Sequence, residues 1–290
     1  MTPRRRVAAL LLGALLVAGA SSASAATPPR RVVSMNLCAG QMALMLAAPG
    51  QVVSVSKLAR DPAMSSFAEA AAAIPRNWGR AEEIFALEPD LVVAGTFTTR
   101  ATVDMLRRLG FRVETFAPES SFADMRAHIA RMGALLGREA RAAEVIATLD
   151  ADLAAIEAAR PAEADRPTAV AWYAGARTAG KGTLVDEVMR AAGLRNLAAE
   201  RGIAGSGVLP LEALVASHPD MVIGGIPDRR GPALAHQGYR HPALGAVMAP
   251  RGGIVAIDDR LTICGGPFTL EAVRELAAIA RMSRPKEAAR

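Results

Sequence analysis

Aromatic and basic side chains follow several predicted strands, and these residues are the best suited in the chain to bind a ligand. They are Lys57, Arg60, Trp78, Arg80, Thr96, Phe97, Trp172, Tyr173 and Arg177. Aromatic residues make up only 4% of the chain, yet both tryptophans and one of the two tyrosines belong to this set. Ligands of open α/β sheets bind beyond the carboxyl ends of the strands. The set therefore predicts a cleft for a bulky ligand with aromatic or anionic parts, although any one of these aromatic residues would also suit a core.

The motifs of catalytic chemistry are incomplete in this sequence. Residues 175–181 match the Gly-x4-Gly-Lys part of a phosphate-binding loop, but Gly182 stands where Ser or Thr would hold Mg²⁺. Residues 205–207, Gly-Ser-Gly, lack the spacing of a nucleophile elbow. We predict no catalytic residues, no enzymatic activity and no resident cofactor.

The histidines do not predict a metal site. His128, His218, His236 and His241 are scattered, and the closest pair lacks helical i, i+4 spacing. Protein metal sites need three or four converging ligands. Surface or turn positions are the expected places for these four side chains.

A repeated segment organises the chain. Residues 82–95 and 212–225 each run from a Glu through a short amphipathic helix and Pro-Asp to an apolar strand that closes on Gly. Proline cannot continue a helix and disfavours α geometry in the residue before it, so it ends the helix in each copy. The offset of 130 residues is too long for a solenoid repeat. It predicts two similar α/β lobes with a cleft between them.

Strands and helices alternate along both halves, which predicts parallel sheets with helical crossovers. The expected strands are 31–35, 51–55, 91–94, 111–116, 168–173 and 254–257, and the expected helices are 41–46, 82–87, 99–109, 184–192, 242–247 and 268–281. A longer helical stretch, 122–160, is interrupted near Gly137, and its second part would span about 35 Å. We therefore divide the chain into a lobe at 28–136, a connecting helix at 137–160 and a second lobe at 166–285.

The first 25 residues have the pattern of a secretory signal. Three arginines, Arg4 to Arg6, precede the apolar residues 7–20, and a small-residue cleavage site ends at Ala25. The apolar stretch is short for a membrane span, and no cysteine lies near the cleavage site to carry a lipid. Removal of the signal lowers the formal charge from +6 to +3, and the remaining charge is scattered. We expect an exported periplasmic protein that does not bind nucleic acid.

Two cysteines enter this oxidising compartment, Cys38 and Cys264. A disulfide between them requires Cα atoms within about 7 Å, which the sequence does not fix. Two buried thiols are the alternative.

Three stretches of the sequence resemble the periplasmic substrate-binding proteins of ABC importers for iron siderophores, haem and cobalamin. They are residues 31–39, the paired Glu-x6-Pro-Asp segments and residues 264–267, Cys-Gly-Gly-Pro. The resemblance extends over about residues 28–285. It implies an α/β fold with two Rossmann-like lobes of parallel sheets, joined by a long rigid α-helix, with the ligand in the cleft between the lobes.

The resemblance also implies a partner and a cargo. Glu82 and Glu212 would dock the membrane permease dimer by pairing with its arginines, whereas the residues alone indicate only favourable helix N-termini. The arginines suit an anionic ferric siderophore or haem, and Trp78, Trp172 and Tyr173 suit the face of a porphyrin or corrin. We expect a monomeric receptor for one small-molecule metal chelate. The alternatives are an exported zinc- or manganese-binding protein and an enzyme on the same doubled α/β scaffold.

Overall fold

The computed structural model of the chain describes residues 27–224, 241–248 and 253–282. The predicted signal segment and His236 lie outside the described residues.

The first sheet is parallel throughout and has the strand order β3-β2-β1-β4-β5. Its strands are β1 (Val32–Ser34), β2 (Val52–Ser56), β3 (Arg76–Asn77), β4 (Leu91–Gly95) and β5 (Val113–Phe116). Because parallel strands need long crossovers, helices separate them and cover the sheet, and β4 is buried along its whole length. These helices are α1 (Leu37–Leu46), α2 (Ala68–Ala72), α3 (Ala81–Ala86) and α4 (Arg100–Arg108), and α5 (Phe122–Leu136) follows β5.

The second sheet is mixed, which corrects the expectation of a parallel one. Its strands are β6 (Thr168–Tyr173), β7 (Arg177–Ala179), β8 (Arg195–Asn196), β9 (Ser206–Val208), β10 (Met221–Gly224) and β11 (Ile254–Ala256). The order is β11-β10-β6-β7-β9, and β8 pairs with the first half of β6. Only a three-residue turn separates β6 from β7, too short for a parallel crossover, so this pair is antiparallel, as is β7 with β9. The helices are α7 (Leu184–Ala191), α8 (Leu197–Glu200), α9 (Leu211–Ala216), α10 (Pro242–Met248) and α11 (Thr269–Met282).

The glycine-rich segment 175–182 forms this hairpin and not a phosphate-binding loop. The Gly180 N–H donates to the Gly205 carbonyl at 2.8 Å, and the Lys181 N–H donates to the Ile203 carbonyl at 2.8 Å. A Cβ atom on Gly180 would lie 2.1 Å from the Ile203 oxygen, so glycine is required for the two backbones to approach. The Gly180 and Lys181 N–H groups, which a phosphate-binding loop would point at its ligand, are already used in these bonds.

The repeated segments end their helices in the same way. Glu88 and His218, the residues before Pro-Asp, have left-handed φ angles of 45° and 46°. The residues four positions earlier, Ile84 and Leu214, are both fully buried. The two copies therefore share backbone geometry as well as sequence, as expected for related lobes.

The aspartates of the repeats hold the start of the central strand in each sheet. The Asp90 carboxylate accepts hydrogen bonds from the Arg30 and Arg31 N–H groups at 2.7 and 2.9 Å. Asp220 Oδ2 accepts from the Thr168 N–H and hydroxyl at 2.8 and 2.7 Å. Each Pro-Asp pair thus ends one helix. Its aspartate then fixes the start of the central strand, which lies beside the strand that follows the pair.

A helix of 20 residues, α6 (Glu139–Ala158), connects the two sheets along the chain and would span about 30 Å. It begins after Gly137, whose φ of 66° ends α5 and whose missing side chain leaves room for Pro28. One hydrophobic cluster includes Val32 of the first sheet, Leu149 of α6 and Ala171 of the second sheet. The two halves therefore share a continuous core.

Candidate ligand-binding cleft

A buried asparagine fixes the carboxyl edge of the first sheet. Asn77, 2% exposed, donates from its amide to the Ser34 carbonyl at 3.0 Å and to Ser54 Oγ at 2.9 Å. These bonds tie the end of β3 to β1 and β2. The next residue, Trp78, donates its backbone N–H to Glu83 Oε2 at 2.8 Å. The loop that carries the tryptophan is thus held from both sides.

The Trp78 side chain is 55% exposed and has cations around it. Lys57 Nζ lies 4.3 Å from the ring centroid, and the Arg76 guanidinium carbon lies 5.7 Å from it. Both distances are within the range of a cation–π interaction. An exposed aromatic ring with two positive charges can stack on a flat ligand and attract its acidic groups.

The loop after β4 presents a second aromatic residue. Phe97 is 86% exposed and Thr96 is exposed beside it. The loop is anchored because the Gly95 N–H donates to Thr98 Oγ1 at 3.0 Å and the Thr96 N–H donates to the Phe116 carbonyl at 2.9 Å. Three strand spacings separate β3 from β4, so the two aromatic loops stand roughly 14 Å apart. A ligand that contacts both must be bulky.

Two further cations lie at this edge. Arg60 ends the 3-10 turn after β2, and Arg80 directly precedes α3. Both are exposed, and neither side chain forms an ion pair with another residue in the described ranges. The edge therefore offers positive charge to an anionic ligand.

In the second lobe the structure brings Tyr173 and Arg177 together. They are directly opposite each other in the β6–β7 ladder, where Cβ atoms are about 4.5–5.5 Å apart. Tyr173 is half-buried and Arg177 is exposed. The carboxyl end of β6 thus pairs a phenol with a guanidinium.

Trp172 does not line the cleft, contrary to the sequence prediction. It is 3% exposed, its indole N–H donates to the Leu209 carbonyl at 2.9 Å, and it packs with Val170 and Leu214 in the core of the second lobe. Successive residues of a strand point to opposite faces, so Trp172 and Tyr173 cannot both face the same ligand. The alternation along the strand was the signal that the sequence prediction overlooked.

A disulfide joins the two lobes covalently. The structure contains the Cys38–Cys264 disulfide, with Cα atoms 5.2 Å apart and a sequence separation of 226. The Phe67 and Phe268 rings also pack edge to face, with their centroids 6.2 Å apart. Cys38 belongs to the first turn of α1, directly after β1, so the disulfide lies at the carboxyl edge of the first sheet.

Glu82 and Glu212 occupy equivalent positions, the second residue of α3 and of α9. Both carboxylates are exposed. Neither forms a salt bridge with any residue of the described part of the chain. The arrangement leaves one exposed carboxylate at the start of an equivalent helix in each lobe.

The side chains within the described ranges contain no group of three or more His, Cys, Asp or Glu residues that could hold a metal ion. No helix in the same ranges is long and apolar enough to cross a membrane.

The sequence prediction missed Arg76, although a second repeat marks it together with Asn77. Arg-Asn recurs at 195–196, where it again forms a two-residue parallel strand. The Asn196 amide donates to the Ala179 carbonyl at 3.0 Å, as Asn77 does to Ser34. The recurrence indicates a shared structural role, and in the first lobe it places Arg76 beside the tryptophan.

Comparison with known proteins agrees with this architecture. The sequence profile of the family described as "Periplasmic binding protein" matches residues 32–259. A cobalamin-binding protein of Halobacterium salinarum is 30% identical over 198 residues, which are 68% of this chain and 54% of the relative. An uncharacterized ABC transporter substrate-binding lipoprotein, YvrC of Bacillus subtilis, is 26% identical over 68% of this chain and 63% of its own length. The chain thus spans about half to two thirds of these relatives.

The fold is that of solved periplasmic receptors. The structure of the haem-binding protein RhuT from Roseiflexus has a TM-score of 0.72, with 24% identity, over 88% of this chain and 98% of that one. Because the family profile covers most of the described residues, the chain belongs to the Periplasmic binding protein family.

Proposed function

We propose that this protein is an exported, non-enzymatic receptor that binds one metal-carrying tetrapyrrole, haem or cobalamin, and delivers it to an ABC importer. The observation that carries the proposal is the exposed Trp78 ring with Lys57 and Arg76 beside it. A flat macrocycle stacks on the indole, and its acidic substituents pair with the cations. Family membership and the haem- and cobalamin-binding relatives support this class of ligand.

Binding would use both lobes. Trp78 and Phe97 form the aromatic wall of the first lobe, and Tyr173 with Arg177 forms the opposing wall. The metal travels with the ligand as cargo. Tyr173 supplies a phenol, one of the side chains that ligate haem iron, so haem would engage it through the metal.

Delivery would use the two exposed carboxylates. Glu82 and Glu212 open equivalent helices of two related lobes, an arrangement that suits a permease with two-fold symmetry. Exposed ion pairs contribute about 0–1 kcal/mol each, but pairs desolvated by docking contribute more. Two such contacts, one per lobe, would also fix the orientation of the receptor.

A ferric siderophore is the second candidate ligand. The exposed arginines Arg60, Arg80 and Arg177 favour it, since an anionic chelate without a flat face would depend on charge and little on stacking.

Fluorescence titration tests the proposal. In Trp172→Phe, Trp78 is the sole tryptophan, so quenching reports the cleft alone. Hemin, cyanocobalamin and a ferric hydroxamate siderophore are titrated in turn. We expect saturable quenching at one ligand per chain with hemin or cyanocobalamin. Saturation with the siderophore alone would select the second candidate, and no quenching or heat with any of the three would refute the receptor function.

A further inference from the structure

A buried carboxylate lies where the two lobes meet. Glu119, which follows β5, is 6% exposed, and Glu is almost never buried unless it is paired. Its Oε1 atom lies 3.0 Å from His128 Nδ1 on α5. Its Oε2 atom accepts the Gly265 N–H of the second lobe at 3.2 Å. None of these groups belongs to the proposed ligand walls.

The second lobe approaches this carboxylate so closely that only glycine fits. A Cβ atom on Gly265 would lie 2.6 Å from Glu119 Cβ and 3.0 Å from Met125 Cγ. The preceding residue, Cys264, is 1% exposed and is bonded to Cys38. Cys264 is thus held to the first lobe by a covalent bond, and Gly265 is held to it by a hydrogen bond to the Glu119 carboxylate.

The geometry points to a clasp made of Cys38, Glu119, His128, Cys264 and Gly265, in which Glu119 and His128 are positioning residues. Glu119 holds the 264–265 segment in the place where the disulfide is closed, and His128 holds the Glu119 carboxylate. Glu119 follows β5 and Cys38 follows β1, so both anchor points lie at the carboxyl edge of the first sheet. The clasp therefore sets the distance between the two walls of the cleft.

His128 is itself held in place. Its side chain is 17% exposed, and its ring packs edge to face on the Phe116 ring, with the centroids 5.5 Å apart. The imidazole therefore cannot turn away from Glu119 without losing this packing. An ordered partner keeps the carboxylate oriented toward Gly265.

The clasp can be tested without any ligand. Glu119→Ala leaves the Gly265 N–H without its acceptor, whereas Glu119→Gln retains an acceptor oxygen. Glu114→Ala is the matched control, since Glu114 is a carboxylate on β5 that pairs with Arg131 at 2.7 Å at the surface. The readouts are hydrogen exchange of the Gly265 amide and the rate at which dithiothreitol reduces the disulfide, whose Cys264 side is buried.

We expect Glu119→Ala to raise both rates about tenfold, the equivalent of about 1.4 kcal/mol. Glu119→Gln and Glu114→Ala should stay within about twofold of the parent protein. His128→Gln, which keeps the carboxylate and loses the ring, should give an intermediate increase and serves if Glu119→Ala does not fold. Unchanged rates in Glu119→Ala, or faster exchange spread evenly over the first lobe, would overturn the clasp.

The effect on the cleft rests on the proposed function and is measured separately. With hemin and cyanocobalamin as probes, Glu119→Ala should weaken binding about tenfold relative to the parent protein. Glu119→Gln should keep the affinity of the parent protein. Faster Gly265 exchange with unchanged affinity would show that the clasp does not set the cleft. If the parent protein binds neither probe, the proposed function fails while the exchange rates still decide the clasp.

Discussion

Replacement of Trp78 by Ala separates ligand binding from stability. The side chain is 55% exposed, and a Trp side chain offers about 200 Å² of surface, so a ligand can cover roughly 110 Å² of it. At about 25 cal/mol per Å² this burial contributes at most about 3 kcal/mol to binding. We therefore expect Trp78→Ala to weaken binding by about 1–3 kcal/mol, or roughly 5- to 150-fold.

The matched control is the other tryptophan. Trp172→Ala empties a core position and should lower the free energy of unfolding by about 3–5 kcal/mol, while the folded fraction keeps its affinity. Calorimetric titration with hemin and cyanocobalamin gives the affinities, and urea unfolding gives the stabilities. The reasoning would be refuted if Trp78→Ala lost stability and kept its affinity, or if Trp172→Ala showed the pattern expected for Trp78.

Three other substitutions test the surrounding argument. Lys57→Gln should weaken ligand binding at low ionic strength and have little effect on it in 1 M salt, because exposed charges are screened over about 3 Å at that concentration. An equal loss of affinity at both salt concentrations would contradict a charge contact. The double change Glu82→Ala and Glu212→Ala should leave ligand affinity and melting temperature unchanged but abolish stimulation of the importer's ATPase in vesicles. Each single change should cause a partial loss of this stimulation. Normal ligand uptake by the double variant would show that the carboxylates only stabilise their helices. Asp90→Ala should destabilise the fold by about 1–2 kcal/mol, because it removes two hydrogen bonds from the exposed Arg30 and Arg31 N–H groups to a carboxylate. Urea unfolding measures this, and a neutral effect would argue against the role assigned to Pro-Asp.

Much of the fold could be predicted because its signals are local. The Pro-Asp segments mark helix ends and strand starts on both sides of α6, and Gly137 marks the break before that helix. Apolar runs with turn residues around them locate the buried strands. These signals each occupy a few consecutive residues, so a single sequence suffices to find them.

The contacts between the two lobes were harder to predict because they join distant residues. Glu119 and Gly265 are 146 residues apart, and the Ser66 hydroxyl, which donates to the Arg260 carbonyl at 3.3 Å, is 194 residues from it, so no periodicity links either pair. The antiparallel β6–β7 pair depends on a three-residue turn that sequence reasoning treated as a loop. Trp172 was misplaced because strand alternation was not applied to its neighbour Tyr173.

Native mass spectrometry of the full chain, expressed with its first 25 residues and purified from the periplasm, tests the central claim most directly. After incubation with hemin, cyanocobalamin and a ferric hydroxamate siderophore together, the account predicts a folded monomer that carries the mass of one haem or one cobalamin. A protein that stays ligand-free, or that carries a bare zinc or manganese ion in place of a chelate, would contradict it.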